Sequence, residues 1–303
     1  GGAQAMLDAL LAGAEDAGVE IRTGAAVSAV SKAEDGVPEI TVAAGRVRAN
    51  RLVLASGGAT RPGTGSSGDG YEWVASFGHQ VAPPLPALGA LVTDPCFEEL
   101  AGVSLERAEV SFAAGKKRRR RCAGGLLFTH RGLSGPAALN SSLEMARSGF
   151  AAGGSLRVDL VPALSAGELT DALIARARAE TKRPIRTAGL GELLPVRLLA
   201  RLAEAAGIRP ERRLASISHK EHGRLAALAK GLELRVTELP DAEGAMVTVG
   251  GVVTAKVDPR TMESRLVPGL LLAGELLEPA GPCGGWNLLM AFATGAAAGR
   301  AMA

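Results

Sequence analysis

The sequence predicts an α/β fold in which one domain is interrupted by another, and three observations carry that reading. Two glycine-rich turns, each at the end of an apolar strand, stand about two hundred residues apart: Leu52-Val53-Leu54-Ala55-Ser56-Gly57-Gly58 and Leu270-Leu271-Leu272-Ala273-Gly274-Glu275. The composition changes at Pro83-Pro84-Leu85-Pro86, a stiff connector because proline fixes φ and restricts the residue before it. Between that connector and Pro240 the pattern passes from short strands to a helical period.

Ala3 to Ala17 carries Met6, Leu7, Leu10 and Leu11 at helical spacing, and Gly18 stops the helix. Val19-Glu20-Ile21 reads as a short strand, followed by strands over Ala26–Ser31, Glu39–Ala43 and Arg46–Ser56. The last ends in a nearly all-apolar run, as expected of a strand buried on both faces. Asp69 is expected to cap a helix from Gly70 to Phe77, closed by Gly78. Beyond the prolines come strands over Gly89–Thr93, Arg107–Phe112, Gly125–Thr129 and Ser155–Leu160. From Ser165 to Ala229 three or four helices are expected, the first opened by Ser165-Ala166-Gly167-Glu168 with the spacing of a capping box. Met246–Val257 returns to strand, and a last helix follows Gly284-Gly285-Trp286-Asn287. The boundaries so drawn are a first part at 1–83, an insert at 84–240 (β-rich 84–162, helical 163–240) and a C-terminal part at 241–303.

At 303 residues and 47% hydrophobic content the chain can hold a large core or two domains. Aromatic residues make up 3% and the net charge is +3, which argues against an extensive base-stacking surface; no nucleic-acid partner is expected. The run Lys116-Lys117-Arg118-Arg119-Arg120-Arg121 lies between two strand candidates and reads as an exposed hairpin arm. Cys96, Cys122 and Cys283 are far apart without metal-ligand spacing, which fits a reducing cytoplasm. His219 and His222 have no third ligand nearby, and no metal is expected. Asp8, Glu15 and Asp16 are wrong for a signal peptide, and Gly295 and Gly299 break the apolar stretch from Leu288, so no membrane partner is expected. The chain opens on Gly, in mid-helix and uncapped, which predicts a piece upstream.

Strand, glycine turn and helix start together bring a backbone against a phosphate or a flat cofactor: glycine has no Cβ to hold a ligand off, and the helix start adds free N–H groups and a positive dipole end. Around the first turn, Ser56, Thr60, Thr64, Ser66 and Ser67 add hydroxyls. The glycines alone also fit a surface loop built for flexibility. In the second turn, Glu275 at the end of an apolar strand calls for a hydroxyl or backbone donor as partner. Two such turns suggest one cofactor site assembled from both ends of the chain. His130 and Arg131, in a turn at the mouth of the insert, are weak catalytic candidates; with Gly135 and Pro136 close by, a structural turn is favoured. His79 follows Gly78 at a helix end, where a cation is favourable in any case.

These segments occur in one order with Thr64-Gly65-Ser66-Ser67-Gly68-Asp69-Gly70-Tyr71, Leu127-Phe128-Thr129-His130-Arg131-Gly132-Leu133-Ser134-Gly135-Pro136, Val249-Gly250-Gly251-Val252 and Thr261-Met262-Glu263-Ser264. Together they resemble the BaiN-like (YhiN-like) FAD-dependent oxidoreductases, from about Gln4 to Gly299. The resemblance implies a two-part FAD-binding Rossmann-like domain interrupted by an insert with a β-barrel-like part and a helical part. It implies FAD as cofactor, NAD(P)H as electron donor and a small organic substrate. By resemblance, Ser56, Gly57, Gly58, Thr64, Gly65, Asp69, Gly250 and Gly251 would serve the cofactor, Gly274 and Glu275 its pyrophosphate and ribityl chain, and Gly284, Gly285, Trp286, Asn287 and Leu288 the flavin ring. The family's opening strand, G-x-G-x-x-G turn and helix have no match here, so the chain reads as truncated at its N-terminus. Two other readings stay open: a fumarate-reductase-like flavin enzyme, with His130 and Arg131 meeting a dicarboxylate, and a non-catalytic half-site. A homo-oligomer is also left open.

Overall fold

The computed structural model describes residues 2–34, 36–114, 118–191 and 193–302. The first part opens with α1 (Ala3–Asp16), whose apolar stripe remains exposed, and a three-stranded antiparallel sheet of β1 (Val27–Lys32), β2 (Pro38–Val42) and β3 (Gly45–Arg48). Val19–Ile21, expected as a strand, joins no sheet among the described residues and is exposed. The expected strand over Arg46–Ser56 divides at Ala49-Asn50, because its two halves join different sheets: β3 pairs with β2, whereas β4 (Leu52–Leu54) finds its partner at the far end of the chain. Asp69 lies inside α2 (Asp69–Ser76), and Gly68 stands at the cap in a left-handed conformation.

The proline connector also departs from expectation. Val81–Ala87 forms β5, because its partner runs along one side and leaves the edge that prolines tolerate. The chain then enters a closed six-stranded barrel: β6 (Leu91–Asp94), β7 (Ser104–Ala114), β8 (Arg118–Phe128) and β9 (Gly132–Ser134) precede α3 (Pro136–Ser148), and β10 (Ser155–Asp159) follows it. Closure leaves no free sheet edge. Gly135 lets the chain turn from β9 into α3, since a Cβ there would come within 2.9 Å of the Gly125 carbonyl oxygen. Ala137, Ala138 and Met145 of α3 are fully buried against the barrel.

The helical segment is α4 (Ala166–Ala179), α5 (Val196–Ala205) and α6 (His219–Ala229). The capping box at its start is formed: Glu168 N–H donates to Ser165 Oγ at 3.2 Å, and Ser165 N–H to Glu168 Oε2 at 2.8 Å. Ser218 and Glu221 form a second box at α6 that the sequence reading passed over. The helices do not end the insert. β11 (Leu232–Glu238) follows them and closes the barrel between β10 and β6, so the helical segment sits between two barrel strands. Its apolar–polar alternation from Leu232 to Thr237 was a legible signal that the reading missed. Barrel and helices share one core, from Phe112, Phe128 and Leu156 through Leu169 and Leu199 to Leu225.

The chain returns through β12 (Val247–Val252), antiparallel to β5, and β13 (Leu270–Leu272), parallel to β4, and ends in α7 (Trp286–Met302). A second core gathers Tyr71, Val74, Val252, Leu270–Leu272 and Leu276. No helix among the described residues is long and apolar enough to cross a membrane.

Candidate functional site

β4 and β13 run parallel in register, Leu52 opposite Leu270 and Leu54 opposite Leu272. Both therefore end on the same side, and Ala273 N–H donates to the Leu54 carbonyl at 3.0 Å. Ser56-Gly57-Gly58 and Gly274-Glu275 emerge next to each other. The two distant turns thus share one edge, where ligands of open α/β sheets bind.

Thr248, on β12, ties the turns together. Its Oγ1 accepts from Ala59 N–H at 2.8 Å, and its own N–H donates to Glu275 Oε1 at 2.5 Å. Glu275 thus has the backbone donor its position called for. Burial pushes its carboxyl above the ordinary range, and the Thr248 N–H opposes that shift. Tyr71 donates to the Glu275 carbonyl oxygen at 3.5 Å; burial, aided by the nearby Glu275 charge, pushes the phenol up to about 12, so it stays protonated.

The glycines divide into two groups by what a Cβ would meet. At Gly58 it would come within 2.3 Å of Thr248 Oγ1, at Gly250 within 2.2 Å of the Pro83 carbonyl oxygen, and at Gly251 within 2.8 Å of the Leu276 carbonyl oxygen. Packing of the protein on itself accounts for these three. At Gly274, Gly284 and Gly285 a Cβ would meet nothing within 4 Å. Their φ values of +72°, +124° and +90° suit glycine, and the space beside them is open. Gly57 is intermediate, with Ser66 Oγ 2.7 Å from the Cβ position. The Ser56 hydroxyl is buried and has no hydrogen-bond partner.

α7 begins at this edge. Thr294 Oγ1 accepts from Gly274 N–H at 2.9 Å and binds the second turn to the helix. Asn287 closes the loop before the helix on itself, accepting from Gly281 N–H at 2.7 Å and donating to its carbonyl at 2.9 Å. Its side chain holds the loop, whereas Trp286 and Leu288, 57% and 63% exposed, present free apolar surface. Thr64, Gly65 and Asp69 are exposed on the loop and helix start after the first turn; Thr64 Oγ1 donates to the Arg61 carbonyl.

Arg61 carries the first turn toward the insert. Its N–H donates to the Ala242 carbonyl at 2.8 Å and its Nε to the Ala245 carbonyl at 3.1 Å. The same stretch walls a cavity of about 360 Å³, lined by Leu91, Thr129, His130, Arg131, Glu238 and Pro240 among others. Arg131 is engaged by Glu238 at 2.7 Å, and Thr129 Oγ1 accepts from Gly132 N–H, so both neighbours of His130 are held by the protein itself. His130 is exposed beside it.

His79 departs from the cation that a helix end favours. It is buried, and burial lowers its pKa. Ser264 Oγ accepts from both Leu266 and Val267 N–H and lies 2.6 Å from His79 Nε2. His222 donates from Nδ1 to the Ser218 carbonyl at 3.1 Å. Among the described residues no group of three His, Cys, Asp or Glu side chains has the geometry to hold a metal.

Comparison with known proteins adds the following. The family model described as the HI0933-like protein Rossmann domain matches residues 1–301. The chain is 34% identical over 290 residues to the 3-dehydro-bile acid delta(4,6)-reductase of Clostridium scindens, covering 94% of this chain and 69% of that protein. It is 31% identical over 296 residues to the ribosomal RNA dihydrouridine synthase of Escherichia coli, covering 96% and 70%. The enzyme of that name from Haemophilus influenzae is 32% identical over 246 residues, covering 80% and 58%.

Proposed function

Because this chain belongs to the HI0933-like Rossmann family, we propose that it is a flavin-dependent reductase of a carbon–carbon double bond conjugated to a carbonyl. The family is one of oxidoreductases, and the fold is its mixed α/β fold. The observation that carries the finer reading is the shared edge of β4 and β13, where Gly274, Gly284 and Gly285 leave open space against bare backbone. These residues fit FAD. Gly57 and Gly274 would run along the dinucleotide, and the N–H groups that open α7 would face the ring with Trp286 and Leu288. Bound there, the flavin supplies two-electron hydride chemistry, with NAD(P)H as the proposed source of electrons.

The relatives' names support the substrate class. A 3-dehydro-bile acid with delta(4,6) unsaturation and a uracil ring both hold a double bond conjugated to a carbonyl. Its reduction adds a hydride to the β-carbon and a proton to the α-carbon, while the carbonyl oxygen gains negative charge in between. This chain's part is to hold the ring, supply the proton and stabilise that oxygen. We assign the substrate to the cavity between the barrel and the segment 238–244, and the proton to His130 on its lining. Arg131, already paired with Glu238, stiffens that wall.

The test is an FAD titration followed by flavin fluorescence, with ADP as competitor, repeated on Gly285→Val. A saturable curve that the substitution weakens tenfold or more is expected, because a β-branched side chain at that φ blocks the open face. Oxidation of NAD(P)H in the presence of a steroid 4-en-3-one or of uridine-containing RNA completes it. Neither flavin binding nor turnover overturns the reading; turnover of fumarate instead moves the protein to the dicarboxylate reductases.

A further inference from the structure

We propose that Asn140, on α3 of the insert, is a positioning residue for the cofactor: it aims the backbone N–H groups ahead of α7, and so sets how well the site holds reduced flavin. The proposal rests on the flavin reading above and adds to it a residue from the other half of the molecule. Asn140 belongs to neither glycine turn and stands 143 residues from the backbone group it holds.

The segment 280–285 forms no helix or strand, so its course depends on what holds its backbone polar groups. Side chains hold four of them. Arg147 donates to the Ala280 carbonyl, Asn287 takes both the N–H and the carbonyl of Gly281, and Asn140 Oδ1 accepts from Cys283 N–H at 2.8 Å. Asn140, Glu144 and Arg147 are spaced as neighbours along one face of α3. Glu144 holds Arg147 at 2.8 Å and meets Arg120 of the basic run at 3.6 Å; Lys116 and Lys117 of that run lie outside the described residues. Ala280 and Cys283 also pack on the small core of Ala87, Leu88, Leu139, Leu143 and Val247. α3 thus grips the segment at Ala280 and at Cys283, and the chain enters α3 straight from β9 and the turn that carries His130.

Cys283 is the last residue before Gly284 and Gly285. Both glycines lie at positive φ with open space where a Cβ would stand, and glycine by itself offers little resistance to rotation. The directions of their N–H groups are therefore set from the two ends of the pair. At the far end, Leu289 N–H donates to the Gly285 carbonyl at 3.0 Å and ties it into the first turn of α7. At the near end stands the bond from Cys283 to Asn140. Among the described residues no acceptor meets the N–H of Gly284 or Gly285, so both are held in place and left to donate. The first turn of α7 has no acidic side chain, and Asn287 is turned back to Gly281. N–H groups so directed favour negative charge, which a flavin gains on reduction. An asparagine at 140 fixes them without bringing a negative charge of its own.

The test compares the unaltered chain with Asn140→Ala, which removes the acceptor with a good helix former, and with Asn140→Asp, which keeps it. Ser141→Ala, which loses a hydroxyl bonded to the Ala137 carbonyl within α3, is the control. Amide exchange without cofactor is read first. Asn140→Ala is expected to speed exchange at Cys283 about tenfold, and Asn140→Asp to restore its protection. The midpoint potential of bound FAD, by equilibration with a reference dye, is read second. Asn140→Ala is expected to lower the preference for reduced over oxidised FAD about tenfold, a shift of ~30 mV for a two-electron couple, and Ser141→Ala to leave it unmoved. An unchanged preference in Asn140→Ala overturns the proposal, as does equal exchange at Cys283 in all four proteins. An equal shift in Ser141→Ala also overturns it, since loosening of α3 would then suffice. Absence of FAD binding by the unaltered chain overturns the flavin reading and the proposal with it. The exchange result tells the two failures apart, because it shows without any flavin whether Asn140 holds the segment.

Discussion

The insert and the α/β part of this molecule differ in how completely each buries its own apolar surface. Barrel and helices converge on one core, and α5 turns Leu198, Leu199 and Leu202 fully inward. In the α/β part, α1 buries none of its residues and exposes Met6, Leu7, Leu10 and Leu11, whereas α7 buries Ala298 and exposes Trp286, Leu288, Leu289 and Phe292. The parallel sheet between them has two strands of three residues each. The insert therefore holds the larger core, and the α/β part leaves apolar surface and backbone open. A site for a flat cofactor needs apolar surface and backbone left uncovered by the protein itself.

Substitutions test that contrast, from the largest effect downward. Phe112→Ala empties a fully buried position of the barrel and should cost about 3–5 kcal/mol in urea denaturation. A loss under 1 kcal/mol would show that the insert is not the stable half. Gly58→Ala, which drives a Cβ onto Thr248, should cost about 1–3 kcal/mol without any cofactor present, because packing demands glycine there. Ser218→Ala removes the cap of α6 and should cost about 1 kcal/mol.

Acid should act on the same helix. Arg212, helped by the N–H and hydroxyl of Ser218, holds the Glu221 carboxyl down at about 2, against an ordinary value of 4.5. A depressed carboxylate stabilises the fold above its unfolded pKa, and that contribution is lost as pH falls through 4.5 toward 2. Glu221→Gln should flatten this part of the pH–stability curve. Leu289→Ala, on the exposed face of α7, should change stability by no more than about 0.5 kcal/mol. A larger loss would mean that α7 is already covered in solution and the contrast is weaker than the fold suggests.

Local and periodic features were open to sequence reasoning. The capping box at Ser165, the helix over Ala3–Asp16 and the last helix follow from spacing alone, because they depend on residues within a turn or two of each other. That the two glycine turns form one edge also followed, since each closes an apolar strand and such strands pair inside a sheet. The ordered motifs pointed to the family. What failed depended on partners distant in sequence. Val81–Ala87 became a strand despite its prolines because β12 lay beside it, and Leu232–Glu238 joined a barrel whose other strands precede the helices.

The sequence by itself determined the α/β class, the interruption by an insert and the pairing of the glycine turns, because hydrophobic period and turn chemistry are written into neighbouring residues. Only the tertiary structure decided which glycines are free. Gly58, Gly250 and Gly251 look the same in sequence as Gly274, Gly284 and Gly285, yet the first three have protein where a Cβ would stand and the others have open space. It also decided that His79 is buried and paired with Ser264, a serine far along the chain. Space, burial and charge at a residue are set by whatever the fold brings against it, and those neighbours come from elsewhere in the chain.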